Sequence, residues 1–445
     1  MIHIDKIQIS NFKCIKNLEA ELPGIFLLTG ANSSGKSSVI YALLSVFQSG
    51  GYPIDHLELN GDWLNLGDYD EVVYHHKNEN DITIGISFKG NNIATTVSSD
   101  YEHSSEKMPL LKSFEISDQY INASFKKYGK KYLFEGTYDP RKDPFSEAYR
   151  SEDFRKFMKA VDSVNRKLPQ PVDPFELYKI NNFKEEYASI KEFKENFGKS
   201  VILSCKVEDI LTLSEKFKEN FNFMGPFRYP PERTYYKKTK SDIRVNSFGE
   251  NYTAQLLDWF EKYPEKFSAI KKALRELRLI DDLRFTRFHG GRFEMSVKTP
   301  SVPCDSNIAD VGLGISQFLP VLVADMQLPE GSTLAVSQPE IHLHPSAQAG
   351  YANLMIKNFY QHKKRYIIET HSEYIINRLR LLIAKGEINE EDVKIIHLVS
   401  SEDGAIPYDI RLRKNGKIEG APRDFFGTYQ IDTLDLAIAA AENDD

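Results

Sequence analysis

The stretch Gly30-Ala-Asn32-Ser33-Ser34-Gly35-Lys36-Ser37-Ser38 has the residue types and spacing needed to hold a triphosphate. Gly30 and Gly35 permit backbone conformations and close approaches that a side chain blocks, so consecutive N–H groups converge on phosphate oxygens. Lys36 then reaches the β- and γ-phosphates, and the hydroxyl of Ser37 takes a coordination place on Mg2+. Gly30, Asn32, Ser33, Ser34, Gly35, Lys36, Ser37 and Ser38 are therefore the expected nucleotide contacts, with ATP and Mg2+ as ligands and Ser37 on the metal. An apolar run, Ile25-Phe-Leu-Leu-Thr29, precedes the loop, and a helical one, Val39-Ile-Tyr-Ala-Leu-Leu44, follows it. Strand, glycine loop and helix in that order separate a phosphate site from a chance glycine-serine turn. The helix start adds its positive end.

The surrounding chain must position that loop. Its 445 residues, 41% hydrophobic and 27% charged, fit a soluble globular protein of two or three domains. No apolar run is long enough to cross a bilayer, and Met1 to Lys6 contains no signal-peptide core, so a cytoplasmic protein without membrane contact is expected. Cys14, Cys205 and Cys304 lie far apart without C-x-x-C spacing, which suggests neither a disulfide framework nor a zinc knuckle. A net charge of −7 argues against a protein coated all round for nucleic acid and leaves a local basic groove open.

Residues 2–9 alternate apolar and polar, as in a half-buried strand, and Leu18 to Leu22 alternate again after a turn at Asn11-Phe12-Lys13. This opening resembles the ATPase heads of the SMC, RecF and OLD-like group of ABC-type ATPases, in which an I-x-N-F-K segment recurs. The resemblance implies that Lys13 lies beside the nucleotide; an ordinary hairpin turn is the alternative. Alternation in 81–88 and 93–97 suggests a β-rich lobe. From 101 to 220 a mostly helical insertion is expected. Basic and aromatic residues mix in 125–131 and 150–167, and Lys184 to Lys199 suggests a charged helix. No heptad is sustained long enough for a coiled-coil arm, and the lysines suit a solvated helix face better than phosphates.

Arg228 and Arg233, among three prolines, suit either an anion clamp or structural ion pairs. Asp310-Val-Gly312-Leu-Gly314-Ile-Ser316-Gln317 before an apolar run resembles the ABC signature motif. That resemblance implies that Gly314 and Ser316 contact the γ-phosphate held by a second subunit. Thr333 to Pro345 resembles the Walker B and D-loop region, with two departures: Ser337 stands where the magnesium-supporting acid belongs, and Gln338 where the catalytic glutamate belongs. Glutamine orients water without accepting a proton, and serine offers the cation no charge, so weak hydrolysis is expected, with Glu340 making up part of the missing charge. His342 and His344 lack the partners that would complete a metal site. Glu369-Thr370-His371-Ser372 resembles the switch-histidine motif, implying that His371 touches the γ-phosphate.

Taken together the motifs resemble stand-alone ATPases of bacterial anti-phage defence, the PtuA-type ATPase family of Septu systems. The expected fold is α/β: a P-loop NTPase with an ABC-type head built from 1–100 and 221–445 and a helical insertion at 101–220. The resemblance implies a dimer or higher homo-oligomer around ATP, a separate H-N-H nuclease as partner, and catalytic roles for Gln338, His371 and Glu340. The alternative is a DNA-repair ATPase that clamps DNA and hydrolyses ATP.

Overall fold

The computed structural model describes residues 2–49, 56–90, 93–119, 121–129, 131–138, 182–187, 219–237, 244–300 and 302–422, with Phe425, Phe426, Leu436 and Ala439. In chain order come β1 (His3–Phe12), β2 (Ile15–Glu21), β3 (Ile25–Gly30), α1 (Lys36–Gln48), α2 (Tyr69–Val72), β4 (Ile82–Gly90), β5 (Ile93–His103), β6 (Pro109–Ser117), β7 (Ile121–Tyr128), β8 (Lys131–Tyr138) and β9 (Asn182–Tyr187). Then follow β10 (Phe221–Met224), β11 (Tyr235–Tyr236), α3 (Tyr252–Lys262), α4 (Pro264–Glu276), β12 (Asp282–Arg287), β13 (Arg292–Thr299), β14 (Val302–Asn307) and α5 (Leu313–Gln327). The chain continues with β15 (Thr333–Ser337), α6 (Pro345–His362), β16 (Arg365–Glu369), α7 (Glu373–Ala384), β17 (Val393–Ser401), β18 (Gly404–Leu412) and β19 (Ile418–Glu419).

These elements form two compact units. One comprises 1–20 and 42–217, the other 21–41 and 218–445. The boundaries differ from those expected at 100 and 220, because the first strand belongs with the β-rich unit while the phosphate-loop segment belongs with the C-terminal half.

The first unit is built on a sheet of order β2-β1-β4-β5-β6-β7-β8-β9. Its middle pairs are antiparallel hairpins, and Ile82, Ile84, Ile86 and Phe88 of β4 are buried at alternate positions, the pattern of a sheet with one covered face. The expected helical character from residue 101 is overturned where the structure describes it. Ile121, Ala123 and Phe125 are buried with period two, Phe125 stacks on Tyr132 with ring centroids 5.0 Å apart, and Gly129 at φ +63° turns β7 into β8. The lysines that suggested a helix face pair across strands instead, Lys126 with Glu115 at 2.7 Å and Lys127 with Glu102. The charged stretch from Lys184 begins inside β9. Its remainder and the basic stretch at 150–167 lie outside the described residues.

The second unit is organised around a sheet of order β10-β15-β16-β3-β17-β18-β19. From β10 to β17 the pairs are parallel, and β15, β16 and β17 are linked through α6 and α7 as βαβ crossovers. Parallel strands covered on both faces are buried along their length: all six residues of β3 and all five of β15 are buried. Leu256, Trp259, Phe318, Leu322, Tyr351 and Ile368 belong to the continuous core of this unit. A smaller antiparallel sheet, β11-β13-β12 with β14 on β13, completes it. The expected α/β fold is present.

Candidate functional site

Three neighbouring strands, β3, β16 and β15, end on Gly30, Glu369 and Ser337. In open α/β sheets ligands bind outside the carboxyl ends of the strands, and the polar residues of interest converge there.

Gly30 has φ +140°, and a Cβ at this position would lie 2.2 Å from the Leu398 carbonyl oxygen and 2.6 Å from Ser34 Oγ. Only glycine fits. Ser33 and Gly35 also take positive φ, at 62° and 100°, so the loop is held open by backbone shape and not by side chains. Lys36 opens α1 and is buried; its Nζ donates to the carbonyls of Gly30 at 3.1 Å and Ala31 at 2.6 Å. Burial pushes its pKa down, against the pull of Glu369 and Glu340. Ser34 Oγ is enclosed without a hydrogen-bond partner. A buried hydroxyl and a lysine curled onto its own loop, around a cradle that a Cβ would fill, fit a phosphate chain: its oxygens would accept from both.

Beside the loop, Ser37 Oγ donates to Glu369, with Oε1 at 2.8 Å and Oε2 at 3.0 Å. Ser337 Oγ donates to the same Oε2 at 2.9 Å. The parallel register pairs Ser337 with Glu369 and Glu369 with Leu28, so one carboxylate is framed by the phosphate loop and the end of β15. Glu369 carried no assigned role in the sequence. Its signal is a single acid closing the otherwise apolar end of β16, next to a strand that ends on a serine.

After β15 the chain turns sharply. Gln338 has φ 50° and its N–H donates to the Glu369 carbonyl at 2.7 Å; His342 has φ 63°. Glu340 is half-buried, with Oε1 accepting the His371 N–H at 2.6 Å and Oε2 enclosed without a partner. Burial raises its pKa, an effect the His371 N–H opposes. His371 itself is exposed, and its pKa is lowered by burial of part of the ring and by Lys36, with Glu369 acting the other way; the imidazole is neutral at pH 7. The loop that carries it is fixed: Ser372 Oγ accepts from Ile375 N at 3.1 Å as the cap of α7 and donates to Gln348 at 2.5 Å. Lys36, Ser37, Glu340, Glu369 and His371 thus interact within one unit.

His344 caps α6 through its ring, accepting from Ser346 N at 3.3 Å, which gives it a structural task. No group of three or more His, Cys, Asp or Glu that could hold a metal occurs among the described residues. Mg2+ needs few protein ligands when phosphates supply the rest, and the Ser37 hydroxyl beside the phosphate loop would fit that place.

The turn resembling the signature motif starts α5, with Gly312 as its cap and Leu313 exposed. Gly314 packs so closely that a Cβ would meet the His342 carbonyl at 2.5 Å. Ser316 is fully buried, and its Oγ donates to the Leu313 carbonyl at 3.0 Å. The surface that this turn offers outward therefore comes from Gly312 and Leu313. Arg228 is no exposed clamp. It is buried, donates to the carbonyls of Gln317 at 3.3 Å and Ser337 at 3.0 Å, and its pKa is pushed down to about 10 by desolvation. Gln317 returns a bond to the Arg228 carbonyl at 3.2 Å, so this arginine ties the signature helix to the end of β15. Arg233 pairs with Asp310 through two bonds, 2.9 and 2.5 Å. Lys13 lies in the first unit at φ 52°, its N–H on the Val72 carbonyl at 2.6 Å; burial lowers its pKa against the pull of Glu71.

A glycine cradle at the end of a buried parallel strand, with lysine and serine opening the next helix, defines a P-loop nucleotide-binding fold. The chain belongs to the AAA ATPase domain family, whose profile matches residues 2–376. Membership makes ATP the expected nucleotide, generally with Mg2+. No curated protein matches the chain. Among solved structures it is similar to the SMC head domain from Thermotoga maritima, at 10% identity and TM-score 0.40 over 92% of this chain and 98% of that one. It is also similar to the Smc head domain with an extended coiled coil bound to the C-terminal domain of ScpA from Pyrococcus furiosus, at 13% identity and TM-score 0.43 over 93% and 97%. Among the described residues no helix is long and apolar enough to cross a membrane.

Proposed function

We propose that this chain is the ATP-binding regulatory subunit of a bacterial anti-phage defence complex, which self-associates around nucleotide and controls a separate H-N-H-type nuclease while hydrolysing ATP slowly. The observation that carries this is the end of β15. Beside an otherwise complete phosphate loop, the two positions after Val336 hold Ser337 and Gln338 in place of acids. Gln338 orients water without removing its proton, and Ser337 spends its hydroxyl on Glu369. Glu340, the nearby acid, already accepts the His371 N–H and is held above its usual pKa.

Gly30, Gly35 and the start of α1 supply N–H groups and a positive helix end for the phosphates, Lys36 the fixed charge, and His371 a neutral donor. Mg2+, when bound at Ser37, neutralises phosphate charge. A head of this kind keeps its nucleotide-bound arrangement until exchange, which suits a switch better than a motor. The exposed Gly312 and Leu313 at the N-terminus of α5 favour a second copy as the element that closes over the γ-phosphate. The defence setting and the nuclease rest on the likeness of the motifs to PtuA-type ATPases.

The test is purification from the native host with whatever co-elutes, followed by mass measurement with and without ATP. The expected result is a co-eluting nuclease and an ATP-dependent increase in mass that Lys36→Ala and Leu313→Glu both abolish. Self-association unaffected by either substitution contradicts the proposal, as does a chain that elutes alone.

A further inference from the structure

We propose that Glu369, at the end of β16, is the anionic partner of the P-loop magnesium ion in this chain, a task relocated from the neighbouring strand where Ser337 has replaced the acid. The inference rests on the nucleotide-binding reading above and assigns a residue to it. Its basis is geometric. β15 is separated from the phosphate-loop strand β3 by β16, so an acid at 337 starts two strand spacings from that strand, about 9.6 Å, and one on β16 only about 4.8 Å. Glu369 stands on the intervening strand, opposite Ser337 on one side and Leu28 on the other. A carboxylate one strand nearer the loop meets the Ser37 hydroxyl directly, with both oxygens within 3.0 Å.

The hydrogen-bond inventory agrees. An ionised carboxylate offers roughly four acceptor positions and no donor. The hydroxyls of Ser37 and Ser337 bring one proton each, leaving acceptor capacity on the carboxylate. Ser37 is the hydroxyl that a P-loop gives to the cation, so the carboxylate hydrogen-bonded to it is the protein anion best placed to share that ion. Ser337 then acquires a role of its own. An acid there would put two carboxylates about 3 Å apart, a repulsive arrangement in which one of them keeps a proton, whereas a hydroxyl supplies a donor that fixes the Glu369 side chain.

The test uses the full chain and a fluorescent ATP analogue, titrated in Mg2+ and again in EDTA. Glu369→Gln keeps a carbonyl oxygen to accept from the two serines, so the strand ends stay paired while the charge is lost. The expected result is that this variant binds the analogue like the wild type in EDTA but loses the Mg2+-dependent gain, with metal affinity falling by about 10- to 100-fold. Adding Ser337→Asp to it returns a carboxylate to β15 and restores the Mg2+ response. A Glu369→Gln protein with the full Mg2+ response overturns the proposal, as does one weakened equally in Mg2+ and EDTA, which is the signature of a purely structural acid. Failure of the double variant to regain the response also counts against it. A wild type that binds the analogue in neither condition overturns the nucleotide reading itself and this assignment with it.

Discussion

Ser337 and Glu369 face each other across the parallel β15–β16 pair, and the serine hydroxyl donates to the glutamate carboxylate at 2.9 Å. The end of β15 presents a hydroxyl that is occupied in holding an acid from the next strand. Ser337, Glu369 and Ser37 form one hydrogen-bonded unit.

Removing the loop's fixed charge tests nucleotide binding most simply. Lys36→Ala is expected to weaken ATP by about 100-fold, because charge-assisted hydrogen bonds to phosphate contribute about 3 kcal/mol. Calorimetric titration of ATP into the variant and the wild type measures the difference. Equal affinities contradict a phosphate role for Lys36.

Gly30→Ala places a methyl group 2.2 Å from the Leu398 carbonyl at a residue with φ +140°. A destabilisation of about 3 kcal/mol is expected from backbone strain and overlap together. Chemical denaturation reads it directly. Gly312→Ala is the control, since nothing lies within 4 Å of a Cβ there and its φ is not positive.

Glu340 is held above its usual value of 4.5, chiefly by burial. A carboxyl that binds its proton more tightly when folded gives its full stabilisation below pH 4.5 and loses it as pH rises through the raised folded value. Glu340→Gln removes that loss and still offers an oxygen to the His371 N–H. The melting temperature of the variant should therefore gain on the wild type as pH rises from 4.5, then level off. A difference independent of pH contradicts the expected protonation.

Arg228 supplies donors to two buried carbonyls, those of Gln317 and Ser337. Arg228→Lys cannot span both with one ammonium, so a loss of about 2–4 kcal/mol is expected despite the retained charge. Denaturation midpoints check this. A change below about 0.5 kcal/mol, the range of ordinary surface substitutions, contradicts the tie between α5 and β15.

What the sequence made legible was local in the chain. Gly30, Gly35, Lys36 and Ser37 lie within eight positions, so their spacing alone encodes the cradle. The apolar run of β3 announces a buried strand for the same reason. Glu369 was not legible as a site residue, because its partners Ser37 and Ser337 are 332 and 32 positions away and only strand order brings them together. Strands β7 and β8 were hidden by lysines. Lys126 and Lys127 resemble an exposed helix face until β6 and β5 supply Glu115 and Glu102 across the sheet. Ser316 suggested an outward hydroxyl, but the first turn of α5 directs it back onto Leu313. Arg228 was ambiguous for a similar reason, since burial decides between clamp and brace.

Slow turnover is the proposed consequence of Gln338, whose side chain cannot take a proton from attacking water. The most direct measurement is phosphate release in a single turnover by protein loaded with ATP and Mg2+, comparing the wild type with Gln338→Glu. Slow release by the wild type and an acceleration of about 100-fold on restoring a proton acceptor are expected. Release by the wild type within seconds, with Gln338→Glu no faster, would contradict a head that holds its nucleotide.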